Sequence, residues 1–170
     1  MKVLFIAPEV KGLPKLDTWN EIDQIGDMPN VTLSILAGEG VTRSRVKTRL
    51  KQNNRVLIFA GHGEPGKLFV ADGCLTARWL AQYIPGAKPE VVVLASCSSL
   101  GHRKHTTTSL AEVISGAGVN VIAMPTEVDD DGAAIYTTEL IGAFSNGADL
   151  YDAHGIAQEQ METLTDSRQI

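Results

Sequence analysis

Residues 57–63 read LIFAGHG, an apolar run that ends in a histidine between two glycines. Residues 91–97 read VVVLASC, a second apolar run that ends in a cysteine. Short apolar runs that stop at glycine or at small polar residues are typical of fully buried strands. The carboxyl ends of parallel strands form the ligand-binding edge of a sheet, where neighbouring strands lie about 4.8 Å apart. If these two strands are neighbours, the imidazole of His62 and the thiol of Cys97 face one crevice.

The rest of the chain alternates apolar runs with helical patterns, so the sequence predicts an α/β fold. Further strands are predicted at residues 2–7, 31–36 and 119–124, a short hairpin at 66–73, and helices near 19–25, 42–51, 76–84 and 110–115, from 129 onward and at 150–164. Thr76 and the pair Ser109 and Glu112 have the positions of helix caps, and Pro85-Gly86 is predicted to end the helix that starts at Thr76. We predict one domain over residues 1–170, with helices on both faces of a mostly parallel central sheet.

The composition favours a protein that binds neither nucleic acid nor membrane. The chain has 170 residues and a net charge of −5, which argues against non-specific binding to nucleic acid. No apolar run approaches the length of a transmembrane helix, and two cysteines make no disulfide framework. A cytoplasmic location, where a thiol stays reduced, is therefore expected. Basic residues are clustered between positions 43 and 55, which we interpret as the solvated face of a helix, with a docking patch as the alternative.

The histidine and the cysteine form a candidate pair for nucleophilic catalysis. The thiolate is the reactive form of cysteine, and a nearby imidazole can take the thiol proton and later protonate a departing amine. Residues 62 and 97 are far enough apart to lie on two strands joined by one crossover helix. The backbone N–H groups of Gly63 and Cys97 could together bind the oxyanion that forms during acyl transfer.

Other interpretations of these residues stay open. A free cysteine is often a small, buried apolar residue, and a histidine at a strand end can simply hold a loop. Cys97 could bind zinc with His102 and His105, or with His62 and Cys74. Neither set has a standard zinc spacing, so no metal is expected, and Cys74 is predicted to pack under the hairpin.

The order of several short motifs resembles that of the caspase-like cysteine peptidases, and most closely the CHAT domain and its relative separase. The strand endings at His62 and Cys97 belong to this series. The further motifs are DGCLTA at 72–77, CSS at 97–99, SLA at 109–111 with AG at 117–118, VDD at 128–130, and a late helix pattern from Ala153 to Gln158. Each is similar to a motif of the family, and together they cover about residues 55–160 in the family's order.

The resemblance implies a caspase-like, three-layer α/β/α sandwich and a cysteine endopeptidase that works through a thioester acyl-enzyme. Cys97 is then the nucleophile, His62 the general base and acid, and Gly63 with the Cys97 amide the oxyanion hole. No cofactor is expected. The expected partners are a protein or peptide substrate and an activating protein.

The resemblance to separase also implies a preference for a basic residue before the scissile bond. Acidic candidates to recognise that residue follow the first strand and the fifth strand: Glu9, Glu127, Asp129, Asp130 and Asp131. The alternative is that the three aspartates cap a helix and complement its dipole. A basic preference would make Arg103 or Lys104 a candidate point of self-cleavage.

Two other functions fit the same sheet edge. One is a non-enzymatic interaction module, because the chain reaches Ile170 without the terminal apolar strand that CHAT domains usually carry, and an open edge can accept a partner strand. The other is a flavodoxin-like binder of a nucleotide or another small molecule.

Overall fold

The computed structural model describes residues 1–95, 109–124 and 130–167, with their side chains except at residue 130 and residues 165–167. Two compact units are present. The sheet unit comprises Lys2–Leu16 and Leu33–Glu127, and the helical unit comprises Met1, Asp17–Thr32 and Val128–Ile170.

The described residues form both strands and helices. The strands are β1 (Lys2–Pro8), β2 (Thr32–Gly38), β3 (Val56–Ala60), β4 (Gly63–Glu64), β5 (Lys67–Val70), β6 (Gly73–Thr76), β7 (Val91–Ala95) and β8 (Asn120–Ala123). The helices are α1 (Trp19–Gly26), α2 (Arg43–Leu50), α3 (Ala77–Ala87), α4 (Leu110–Gly116), α5 (Asp130–Ser145) and α6 (Leu150–Ser167).

The sheet unit is built on a five-stranded sheet in the order β2-β1-β3-β7-β8. Strand β3 is parallel to β1 on one side and to β7 on the other, and β7 is parallel to β8. Parallel neighbours need long crossover connections, and α2, α3 and α4 lie in the segments that join these strands.

The central strands are buried on both faces. Every residue of β3 is at most 4% exposed, and Val91–Leu94 in β7 are fully buried. Successive side chains of a strand point to opposite faces, so both faces of this sheet are covered, and the sequence of each strand is a continuous apolar run. The predicted α/β class, with a mostly parallel central sheet flanked by helices, is confirmed and is consistent with a three-layer α/β/α sandwich.

Side-chain caps start the helices of the sheet unit. The hydroxyls of Thr42 and Thr76 each accept a hydrogen bond from the backbone N–H three residues later, at 3.3 and 3.2 Å. Ser109 and Glu112 form the predicted capping box, in which each side chain accepts from the other residue's backbone N–H, at 3.1 and 2.8 Å.

The predicted end of α3 is wrong by a short margin. Pro85 lies inside the helix, which continues to Ala87 and ends at Lys88 in the left-handed conformation. A proline lacks the N–H that a helix interior uses, but its fixed φ is compatible with a helix, so the last turn can retain it.

A small antiparallel sheet, in the order β4-β5-β6, follows β3 in the chain. The predicted hairpin is present as β5 and β6, although its second strand extends to Thr76. Asp72 in the connecting turn accepts a hydrogen bond from the backbone N–H of Arg43 at 2.9 Å. That N–H belongs to the first turn of α2 and has no acceptor within the helix, so the turn is fixed to the start of α2.

The helical unit contains α1, α5 and α6. Tyr136 of α5 is buried, and its hydroxyl lies 2.5 Å from Nδ1 of His154 on α6. Burial raises the pKa of Tyr136 to about 12, so the phenol is neutral at physiological pH and shares a hydrogen bond with the imidazole. No helix among the described residues has the length and apolar character that crossing a membrane requires.

Glu21 is a buried carboxyl in the same unit. It lies on α1 and is 5% exposed, and its Oε1 atom has no hydrogen-bond partner. Burial raises the pKa of Glu21 to about 8, although the side chain of Thr137 opposes part of this rise. Glu21 is therefore mostly protonated at neutral pH.

Candidate active site

The two strands that precede His62 and Cys97 are adjacent and in register. Strands β3 and β7 are parallel, and Ala60 at the end of one pairs with Ala95 at the end of the other. His62 follows its paired alanine by two residues, and Cys97 follows its own by two residues. The adjacency on which the sequence argument depended is therefore present. Cys97 itself lies outside the described residues.

The His62 ring is held by a carbonyl group of the loop that follows β1. Its Nε2 atom lies 2.6 Å from the backbone oxygen of Pro14. A carbonyl oxygen can only accept a hydrogen bond, so Nε2 carries the proton. In the neutral ring, Nδ1 then has the free lone pair and is the atom that can accept a proton from a thiol.

The loop that supplies this carbonyl is braced by an ion pair. Lys15 Nζ lies 2.9 Å from Oε1 of Glu9, and the N–H of Leu13 donates to the oxygen of Val10 at 3.1 Å. These contacts fold residues 9–15 back on themselves next to Pro14. Glu9 was predicted to bind substrate; its carboxylate already has a cationic partner in this structure.

The backbone around His62 is fixed on both sides. The oxygen of His62 accepts a hydrogen bond from the N–H of Phe69 at 2.9 Å, which joins it to β5. A Cβ atom at Gly61 would lie 3.2 Å from ring carbons of Pro8, closer than an ordinary contact. The glycine before the histidine therefore allows the end of β3 to lie close to the end of β1.

A small cavity of the sheet unit lies beside His62. It is a cavity of about 10 Å³, lined mainly by apolar side chains that include Ile6, Phe59 and Leu75. A volume of this size holds one water molecule at most.

The structure describes only some of the other predicted site residues. Gly63 begins β4 and pairs with Leu68, directly after His62. Asp129 and the side chain of Asp130 lie outside the described residues, as does Glu127. Asp131 is an exposed residue in the first turn of α5, in the helical unit.

Only some of the candidate metal ligands lie within the described residues. His102 and His105 lie outside the described residues, with Cys97. Cys74 is a half-buried free cysteine in β6, opposite Phe69. Within the described ranges, no three His, Cys, Asp or Glu side chains are grouped as a metal site would require. The candidate self-cleavage points Arg103 and Lys104 are likewise outside the described residues.

Sequence reasoning missed Pro14 and Lys15. Both lie in a loop that the sequence marks only by its prolines and glycine, and the hydrogen bond from His62 to Pro14 spans 48 residues. The signal that could have found them is their place in the chain, because a loop that follows a parallel strand lies on the ligand-binding edge of the sheet.

Comparison with known protein families identifies the family of this chain. The sequence model of the CHAT domain matches residues 13–169. The chain belongs to the CHAT domain family. This membership confirms the resemblance and relates the chain to the caspase-like peptidases.

Among solved structures, an NADPH-quinone reductase from P. pentosaceus is similar, with 12% sequence identity and a TM-score of 0.44. The match covers 87% of this chain and 99% of the reductase chain. A comparison with curated proteins gives no match.

Proposed function

We propose that this CHAT domain is a cysteine endopeptidase in which Cys97 is the nucleophile and His62 the general base and acid. The observation that carries the proposal is the register of β3 and β7, in which Ala60 pairs with Ala95; His62 and Cys97 each follow their alanine by two residues in the sequence. The fixed orientation of the His62 ring supports it, because the proton on Nε2 leaves Nδ1 available as a base.

The proposed reaction uses this single imidazole twice. His62 Nδ1 takes the proton of the Cys97 thiol, and the thiolate attacks the carbonyl carbon of the scissile peptide bond. The oxyanion is bound by the N–H groups of Gly63 and Cys97. As the carbon–nitrogen bond breaks, Nδ1–H gives its proton to the leaving amine, and a thioester remains. Water then hydrolyses the thioester with Nδ1 as base, which releases the carboxyl product and restores the thiol.

The hydrogen bond to Pro14 has a defined part in these steps. When Nδ1 gains a proton, the ring becomes a cation with an N–H at both nitrogens. The Pro14 oxygen accepts from Nε2 in both states, so it keeps the ring in place as Nδ1 gains and loses its proton.

A second part of the proposal is a preference for a basic residue before the scissile bond. Glu9 and Asp131 are the described acidic candidates, and Glu9 forms an ion pair with Lys15. We propose that a substrate Lys or Arg can compete with Lys15 for this carboxylate, because the Glu9 side chain keeps 31% of its surface exposed. A peptide library with Lys, Arg or neutral residues before the scissile bond tests this preference.

Thiol labelling tests the dyad directly, because the chain has two cysteines. Cys74→Ala leaves Cys97 as the sole thiol, and Cys97→Ala leaves Cys74. We expect iodoacetamide to modify Cys97 faster, with a rate that falls when His62→Ala is added to Cys74→Ala. Equal and slow labelling of both thiols, indifferent to His62→Ala, would contradict the dyad. Peptide cleavage that persists in Cys97→Ala would contradict it as well.

A non-catalytic interaction module is the second candidate. The observation that favours it is the position of β8, which ends the five-stranded sheet among the described residues and has three half-buried residues, Val121–Ala123. An edge strand offers free backbone groups to a partner strand. A chain that binds partners but whose two thiols react alike would have this function.

A further inference from the structure

A groove lies between α2 and α3 in the sheet unit, outside the candidate active site. Its volume is about 230 Å³. Its lining includes Leu50 and Ala87, which are only 2% and 7% exposed, and the polar groups of Lys47, Lys51 and Tyr83. The groove therefore has a largely covered apolar lining and two ammonium groups.

The ammonium group of Lys47 is held in place without being neutralised. Its Nζ atom lies 3.2 Å from the Tyr83 hydroxyl and 4.5 Å from the centroid of the same ring. Both contacts are to an uncharged side chain, so the positive charge of Lys47 persists. Lys51 is exposed, and in the part of the chain that the structure describes no carboxylate pairs with either lysine.

This lack of acidic partners distinguishes the groove from other basic positions. Elsewhere in the sheet unit, Lys15, Arg43, Arg55 and Lys67 each form an ion pair with a carboxylate. The sequence contains no Asp or Glu between Glu39 and Glu64, or between Asp72 and Glu90, although the whole chain has a net charge of −5. Positive charge is thus concentrated on α2 and the residues that follow it, in a chain that is acidic overall.

Gly86 leaves the groove open. It lies in the last turn of α3, and a Cβ atom built on it would meet no atom within 4 Å. Alanine is about 1 kcal/mol better than glycine inside a helix, so helix stability does not account for glycine here. The missing side chain leaves room at this wall of the groove.

We infer that the α2–α3 groove binds an acidic segment of a protein partner that inserts an apolar side chain between two carboxylates. The carboxylates meet Lys47 and Lys51, and the apolar side chain enters the groove between them, whose lining includes the buried Leu50 and Ala87. Lys47 lies on α2 and Lys51, four residues later, caps the end of that helix with helical φ and ψ, about 6 Å further along the axis. Carboxylates four apart on a helix have the same spacing. Nucleic acid fits less well, because Lys47 covers the Tyr83 ring on which a base would stack.

Fluorescence anisotropy of a labelled peptide tests the inference on the full chain. The probe is a short helical peptide with Glu at positions i and i+4 around a central Leu. Comparison peptides replace Glu by Lys, or Leu by Ser, and a single-stranded oligonucleotide is a polyanion control. We expect the Glu–Leu peptide to bind more tightly than all three, with an affinity that falls as salt is raised.

Matched variants locate the binding. Lys47→Glu with Lys51→Glu should weaken binding by about tenfold or more, and Lys51→Glu alone should weaken it without disturbing Tyr83. The control, Lys2→Glu with Lys11→Glu, changes the net charge equally outside the groove. Gly86→Leu should fill the groove and reduce binding of the Leu peptide towards that of the Ser peptide.

The iodoacetamide rate of Cys97 should be unchanged in the Lys47, Lys51 and Gly86 variants, so the result does not depend on the proposed peptidase activity. Three outcomes overturn the inference: no binding of the Glu–Leu peptide, equal loss in the control variant, or preferential binding of the oligonucleotide through Lys47 and Lys51.

Discussion

The Nε2 atom of His62 donates a hydrogen bond to the carbonyl oxygen of Pro14 at 2.6 Å, and this contact sets which ring nitrogen is free. We expect the neutral imidazole to be the Nε2–H tautomer. Two-bond ¹⁵N–¹H correlation spectra of labelled protein measure this directly, because protonated and unprotonated ring nitrogens differ in chemical shift. Pro14→Ala retains the carbonyl and should leave the tautomer unchanged. A neutral ring protonated at Nδ1 would contradict the proposed role of that atom as base.

The Glu9–Lys15 ion pair should affect the site more than the stability of the fold. Both side chains are partly exposed, so losing the pair should cost less than about 1 kcal/mol of unfolding free energy. The pair braces the loop that carries Pro14, so Lys15→Ala should lower the labelling rate of Cys97 in the Cys74→Ala background. The swap Glu9→Lys with Lys15→Glu should restore that rate. Failure of the swap, with both single variants impaired, would show that the pair does not act by bracing the loop.

Glu21 should make the stability of the protein fall as pH rises. Folding raises the pKa of Glu21 to about 8, so between its ordinary value of 4.5 and this value the folded state holds a proton that the unfolded state has released. The unfolding free energy therefore decreases with pH in this window, by at most about 1.4 kcal/mol per pH unit from this group. Below this pH window the carboxyl is protonated in both states, so Glu21 no longer lowers the unfolding free energy.

Glu21→Gln removes this titration from the buried site. Denaturant unfolding at several pH values should show the variant gaining stability over the natural chain as pH rises from acidic to about 8, by a few kcal/mol in all. Glu139→Gln changes an exposed glutamate on α5 and is the matched control. A constant difference between Glu21→Gln and the natural chain across this range would contradict the prediction.

Asp72 should stabilise the start of α2. The hydrogen bond from the Arg43 N–H, with the Arg43 guanidinium nearby, lowers the pKa of Asp72. Asp72→Ala should cost roughly 1 kcal/mol, typical of a lost helix-start acceptor, and Asp72→Asn should cost less because its amide oxygen still accepts. A lowered pKa means that the charged form stabilises the fold at neutral pH, and that this contribution is lost as pH falls through the lowered value. Thermal unfolding at neutral and at acidic pH measures both effects; equal losses in the two variants at neutral pH would show that the hydrogen bond contributes nothing.

Much of the architecture was predictable because its causes are local. A parallel strand buried on both faces needs a continuous apolar run, and residues 57–60 and 91–94 show one. The capping box of Ser109 and Glu112 is a contact across three residues and was read correctly from the sequence. The end of α3 was displaced because a proline in a last turn is tolerated when tertiary packing holds the helix.

The surroundings of His62 were less predictable because they are non-local. The sequence by itself determined the class of fold, the strand endings that precede His62 and Cys97, and membership of the peptidase-related family. The spacing of apolar residues, the helix caps and the order of the motifs are all properties of short segments. Only the tertiary structure decided that β3 pairs with β7 in register, and that Pro14 meets His62 across 48 residues of chain. The same holds for the buried carboxyl of Glu21 and the uncompensated lysines of the α2–α3 groove. Burial and charge compensation depend on which distant segments pack together, and no short stretch of sequence contains that information.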